Sequence, residues 1–79
     1  SQRADLESRI ALQVRATEMQ VRESHARIEL AQAAVAQAEE NLRVARDRYQ
    51  SGVGTNTEVL DAETLRLKSQ SNHFNAIYD

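Results

Sequence analysis

Apolar side chains recur every seven residues along the first fifty residues. One set of positions is bulky, and the set interleaved with it is mostly small. The bulky set is Val14, Val21, Ile28, Val35, Leu42 and Tyr49. The interleaved set is Ile10, Thr17, Ser24, Ala31, Ala38 and Ala45. This repeat predicts a coiled-coil helix whose seam faces a partner helix, and the small residues allow the two backbones to approach closely.

A second apolar stripe runs along the same helix, about 160° around the axis from the seam. Its members are Leu12, Ala16, Met19, Ala26, Leu30, Ala33 and Val44. The C-terminal part of the chain also carries two stripes: Leu60, Thr64, Leu67, Ser71, Phe74 and Tyr78, and a more polar one of Ala62, Leu65, Ser69, Asn72 and Ala76. Helices with apolar lines on opposite sides have neighbours on both sides. The pattern therefore predicts a layer of helices, which can be a sheet, a solenoid or a closed helical barrel.

The two glycines of the chain, Gly52 and Gly54, interrupt this pattern once. Gly52 suits the left-handed residue that ends a helix. Thr55 followed by Glu58 predicts a capping box, in which a hydroxyl and a carboxylate each satisfy a free amide. The predicted elements are a long helix over about residues 2–50, a tip turn over 51–56 and a second helix over about 57–79.

A connection this short makes the two helices antiparallel neighbours, so residues 1–79 are predicted to form a single all-α hairpin. Its arms are unequal, roughly 74 Å and roughly 35 Å long at 1.5 Å per residue. Folding back about Val53, the short arm covers the long arm only down to about residue 28. Residues 1–27 then lack a partner within the chain, and an isolated helix of that length is marginal in water. We expect something outside the sequence to cover them.

Charge and composition exclude several functions. Ten Lys and Arg against twelve Asp and Glu give a net charge of −2, and the two signs are interspersed without a long run of either, so no basic face suited to nucleic acid is expected. No stretch approaches the roughly 18 to 20 apolar residues that span a membrane. Cysteine is absent. His25 and His73 fall about 12 Å apart along the hairpin, too far for a shared metal. We expect no enzyme activity, metal or cofactor.

Three short motifs surround the glycines. They are Ala38-Glu39-Glu40-Asn41-Leu42, Arg48-Tyr49-Gln50-Ser51-Gly52 and Thr55-Asn56-Thr57-Glu58-Val59-Leu60-Asp61-Ala62. Together they resemble the hairpin-tip segment of TolC-type outer membrane efflux proteins, whose pattern is approximately A-E-x-N-L, then R-Y-x-x-G, then T-x-x-[DE]-V-L-D-A. The resemblance covers essentially the whole chain, because the helical approach and the Asn75-Ala76-Ile77-Tyr78-Asp79 ending also fit.

The resemblance implies a place for the chain in a larger protein. Family members are homotrimers with a β-barrel in the outer membrane and a long α-helical barrel in the periplasm. Each protomer contributes two coiled-coil hairpins, whose turns meet a periplasmic adaptor protein linked to an inner-membrane transporter. On this basis the chain is an antiparallel coiled-coil α-hairpin, one piece of a periplasmic helical barrel. A closed barrel is among the layers that the opposed stripes allow.

The resemblance also implies roles for individual residues. The residues that match the adaptor-binding tip turn are Gly52, Val53, Gly54 and Thr55. A glycine turn suits docking because it leaves amides and carbonyls open to a partner. Some members carry a basic residue where this chain has Gly54, so a closing contact through that side chain is not expected here.

Three further residues match positions near the channel entrance, where they gate the tip or cap a helix. These are Tyr49, Glu58 and Asp61. Each also has a purely structural explanation: Tyr49 continues the seam, Glu58 caps the second helix, and Asp61 favours the positive end of that helix.

Two other functions remain open at this point. The α-hairpin of the adaptor protein is a periplasmic coiled coil of similar length, but its characteristic Arg-Leu-spaced-Leu-and-Ser pattern is absent around residues 48–60. A free-standing coiled-coil interaction module would need no transport role. An excised piece should be a weakly helical monomer in isolation, whereas an autonomous module should be a stable oligomer.

Overall fold

The computed structural model describes residues 1–78 and consists of two antiparallel helices joined by a short turn. Helix α1 runs over Gln2–Gln50 and helix α2 over Asn56–Tyr78. Asp79, expected at the end of the second helix, lies outside the described residues. The prediction of an all-α hairpin with arms of unequal length is confirmed, since α1 has 49 residues and α2 has 23.

The heptad seam of α1 forms one side of the hairpin interior. Ala38, Leu42 and Ala45 are its buried members, with only 3% of Leu42 exposed. Four more residues of the same seam are half-buried: Ser24, Ile28, Ala31 and Val35. The seam predicted from the sequence therefore faces α2, and partial burial reaches Ser24, about one turn further than expected.

Helix α2 turns its more polar side toward α1. Its buried or half-buried residues are Val59, Ala62, Glu63, Arg66, Ser69, His73 and Ala76. Only part of the predicted polar stripe is included, because Leu65 and Asn72 are exposed. Small side chains on both helices, such as Ala38 and Ser69, account for this orientation because they let the backbones approach closely.

The bulkier stripe of α2 points away from α1. Leu60, Leu67, Phe74 and Tyr78 are between 52% and 72% exposed. The rings of Phe74 and Tyr78 contact each other, with their centroids 4.5 Å apart. The more hydrophobic of the two faces of α2 is thus left without a partner inside the hairpin.

The N-terminal half of α1 extends beyond the reach of α2. Every residue from 1 to 23 is exposed, including the apolar seam residues Ile10, Val14 and Val21. The whole hairpin measures 76 × 16 × 12 Å, which agrees with the length expected from the sequence. Neither described helix has a stretch long and apolar enough to cross a membrane.

Ion pairs lie on the outer surface of α1. The Arg43 guanidinium contacts Glu40 at 2.6 Å and Asp47 at 2.8 Å. The hydrogen bond from Arg43 lowers the pKa of Glu40, although partial desolvation opposes it. Glu40 therefore stays ionised at neutral pH, and any stabilisation from this pair is lost as the pH falls through the lowered pKa.

Candidate docking site at the hairpin tip

The turn between the helices is closed by a Schellman motif. Gly52 has a left-handed backbone, with φ of +82°, and its N–H donates to the Tyr49 carbonyl at 3.1 Å. The N–H of Val53 donates to the Arg48 carbonyl at 3.0 Å. These two bonds define the motif, and here the N–H of Gly54 also donates to the Arg48 carbonyl at 3.0 Å.

These bonds correct one expectation about the tip. The amides of Gly52, Val53 and Gly54 are all used inside the hairpin, so they are not open to a partner. Among the described residues, no hydrogen bond is accepted by the carbonyls of these three residues. The side chain of Val53 is 69% exposed. The tip therefore presents hydrogen-bond acceptors and one apolar side chain.

The two glycines are required for different reasons. A Cβ at Gly52 would meet no heavy atom within 4 Å, so the need for glycine there comes from its positive φ. A Cβ at Gly54 would stand 3.0 Å from Arg48 Cβ and 3.2 Å from the Tyr49 amide nitrogen. Gly54 thus lets the turn pack closely against the last turn of α1.

Helix α2 begins with a side-chain cap. Thr55 Oγ1 accepts a hydrogen bond from the Glu58 N–H at 3.2 Å, as a capping box requires. The Glu58 carboxylate, however, extends across the turn to Arg48, with Oε2 3.6 Å from Nε. This differs from the expected bond back to the start of α2. The reason is spatial, because Gly54 has no side chain where the carboxylate lies.

The remaining predicted site residues lie near the tip but are not gathered into a pocket. Tyr49 continues the seam in sequence, yet it is 50% exposed, one residue before the end of α1. Asp61 is exposed on the second turn of α2. Tyr49 thus contacts the turn through its carbonyl, which accepts the Gly52 N–H, whereas Asp61 faces solvent.

Two residues were not singled out by the sequence analysis. Arg48 connects the turn to both helices, and its place in the Arg-Tyr-x-x-Gly motif was a signal that could have identified it. Arg66 lies in the hairpin interior, where its Nε is buried without a hydrogen-bond partner. Its position on the contact face of α2 could not be inferred until the orientation of that helix was known.

Nothing in the described part of the chain suggests a metal centre. No group of three or more His, Cys, Asp or Glu side chains is placed to hold an ion among residues 1–78. His25 is exposed on α1, and His73 is half-buried against it. The expectations that the chain binds no metal and no cofactor remain predictions.

Comparison with known families supports the resemblance seen at the tip. The family model described as outer membrane efflux protein matches residues 2–79, essentially the whole chain. No match is found among curated proteins or among solved structures. The family consists of channel and transport proteins. The match confirms the resemblance to TolC-type proteins, and the chain belongs to the outer membrane efflux protein family.

Proposed function

We propose that the chain is a periplasmic entrance hairpin of an outer-membrane efflux or type I secretion channel, and that its tip docks onto a periplasmic adaptor protein. The observation that carries the proposal is the tip itself. A turn with satisfied amides, free carbonyls and an exposed Val53 stands at the end of a rod 76 Å long. Such a turn offers a defined shape to a partner that approaches along the rod.

The sides of the hairpin support assembly into a helical barrel. Exposed apolar residues lie on both helices, on the side of each that faces away from the hairpin interior: Leu12, Met19 and Leu30 on α1, and Leu60, Leu67 and Phe74 on α2. Exposed large apolar residues aligned along one side of a helix mark an interaction site. Hairpins placed side by side bury both stripes, which is consistent with a trimeric channel of this family.

The predicted site residues divide between docking and gating. The tip turn of Gly52, Val53, Gly54 and Thr55 contacts the adaptor. Tyr49 and Asp61 are exposed close to the entrance, where they can bond to a neighbouring hairpin. The channel itself performs no chemistry, and family membership argues against the alternatives of an adaptor hairpin or a free-standing module.

Replacing Val53 in the full-length channel protein tests this proposal. Val53→Glu places a charge on an exposed side chain that makes no contribution to the hairpin interior, so assembly of the channel should be unchanged. Adaptor binding and efflux should fall, because the charge must be desolvated on docking. Ala36→Glu is the matched control, because Ala36 is exposed on the face of α1 that carries Glu29 and Arg43, away from the tip. Unchanged adaptor binding by Val53→Glu would show that the tip is not the docking site.

A further inference from the structure

Arg48 lies against the tip turn and is paired with the first turn of α2. Its carbonyl accepts the N–H groups of Val53 and Gly54, each at 3.0 Å. Its Cβ lies 3.0 Å from the point that a Gly54 Cβ would occupy. Its guanidinium Nε lies 3.6 Å from Oε2 of Glu58. One residue at the end of α1 is therefore connected both to the main chain of the turn and to the first turn of α2.

Glu58 holds the turn from the other side. Its N–H donates to Thr55 Oγ1, which fixes the start of α2. Its Oε2 lies 3.0 Å from the point that a Gly54 Cβ would occupy, so the carboxylate covers the bare backbone of Gly54 on its way to Arg48. The absence of a side chain at residue 54 leaves room for the carboxylate on this path.

Few other contacts fix the direction in which the turn points. Among the described residues, the buried residue of α1 nearest the turn is Ala45, and the nearest apolar residue of α2 that is even half-buried is Val59. The Arg46–Glu63 ion pair, at 3.3 Å, joins the helices further from the tip. The orientation of the turn thus depends on its backbone bonds and on the Arg48–Glu58 pair.

We infer that Arg48 and Glu58 are positioning residues for docking: their ion pair, closed over Gly54, holds the tip turn in the shape that the adaptor binds. This inference rests on the proposed function. The pair acts through the orientation of Val53 and of the tip carbonyls, and neither charged side chain needs to touch the adaptor.

A double-mutant cycle in the full-length channel tests the inference, with adaptor affinity as the measurement. Arg48→Ala and Glu58→Ala should each weaken binding roughly two- to fivefold, the range expected for a half-exposed ion pair. The double variant should lose no more than either single variant, because both remove the same interaction. Arg48→Lys should recover part of the loss. In about 1 M salt, where screening acts over roughly 3 Å, the difference from wild type should shrink.

The ion pair between Arg43 and Glu40 supplies the matched control, since its side chains are similarly exposed but it lies on α1 away from the turn. Arg43→Ala and Glu40→Ala should bind the adaptor as wild type does. Additive losses in the Arg48 and Glu58 cycle, or wild-type affinity in both single variants, would overturn the inference. If Val53→Glu still abolishes docking in that case, the proposed function stands alone; if Val53→Glu also has no effect, the proposed function fails as well.

Discussion

At the scale of single residues, the tip is determined by two glycines that satisfy different constraints. Gly52 supplies a backbone conformation, and Gly54 supplies space. The sequence was enough to predict the first role, because a glycine that follows a long helical pattern commonly ends the helix. The second role was not predictable, because it depends on how closely Arg48 and Glu58 approach the turn. Contacts between residues on opposite sides of a turn become visible only in the folded backbone.

Substitutions at Gly52 and Gly54 should therefore lower the stability of the hairpin for different reasons. Gly52→Ala should lower the free energy of unfolding of the hairpin by about 1 kcal/mol, the cost of a left-handed alanine, and Gly52→Asn should cost less. Gly54→Ala and Gly54→Asn should both be destabilising, by about 1 to 3 kcal/mol, because any Cβ there stands 3.0 Å from Arg48 Cβ and 3.2 Å from the Tyr49 amide nitrogen, so the end of α1 must shift. Thermal unfolding, monitored by circular dichroism, shows whether asparagine costs less than alanine at each residue. Relief by asparagine at residue 54 would contradict this explanation.

At the scale of the helices, the main finding is the orientation of α2. Periodicity identified both of its stripes but could not decide which one faces α1, since each has the spacing of a helix face. The structure places the small and polar residues inside, where Ala62, Ser69 and Ala76 match the alanines of the α1 seam. The larger residues Leu60, Leu67 and Phe74 remain outside. One face of α2 thus allows close backbone approach within the hairpin, and its opposite face is left for burial against neighbouring helices.

The buried Nε of Arg66 should lower the free energy of unfolding of the hairpin. Its Nε is buried without a hydrogen-bond partner, so Arg66→Leu should raise the free energy of unfolding by about 1 kcal/mol. Arg46→Leu is the control, because it removes the half-exposed pair with Glu63 and should change stability by no more than about 0.5 kcal/mol. Denaturant unfolding of both variants makes the comparison. Clear destabilisation by Arg66→Leu would mean that the guanidinium makes a favourable contact that this account omits.

At the scale of the whole molecule, the hairpin has much more exposed apolar surface than interior. Ala38, Leu42 and Ala45 are the buried apolar residues of the described chain, whereas residues 1–23 are exposed throughout. The sequence predicted this imbalance from the unequal arm lengths and the opposed stripes. It also predicted the reach of α2 along α1 to within about one turn, since partial burial extends to Ser24. What it could not supply was which seam residues within that overlap become fully buried.

Amide hydrogen exchange on the 79-residue chain should reveal the same imbalance. Residues 31–45 of α1, which pack against α2, should exchange more slowly than residues 3–23, which rely on local helix formation alone. Helicity of the N-terminal segment should increase with protein concentration, as the uncovered stripes associate. Uniform protection along α1 at low concentration would contradict the view that this segment depends on neighbouring helices.

Cross-linking from the tip measures the proposed contact between the hairpin and an adaptor protein. The chain contains no cysteine, so Val53→Cys in the full-length channel introduces one thiol into the hairpin, to which a short photo-activated cross-linker can be attached. Ala36→Cys provides the same probe at an exposed residue of α1 that lies away from the tip. We expect an adduct with the adaptor from residue 53 and none from residue 36. Equal adducts from both sites, or no adduct from residue 53 in a channel that still supports efflux, would contradict the proposed contact.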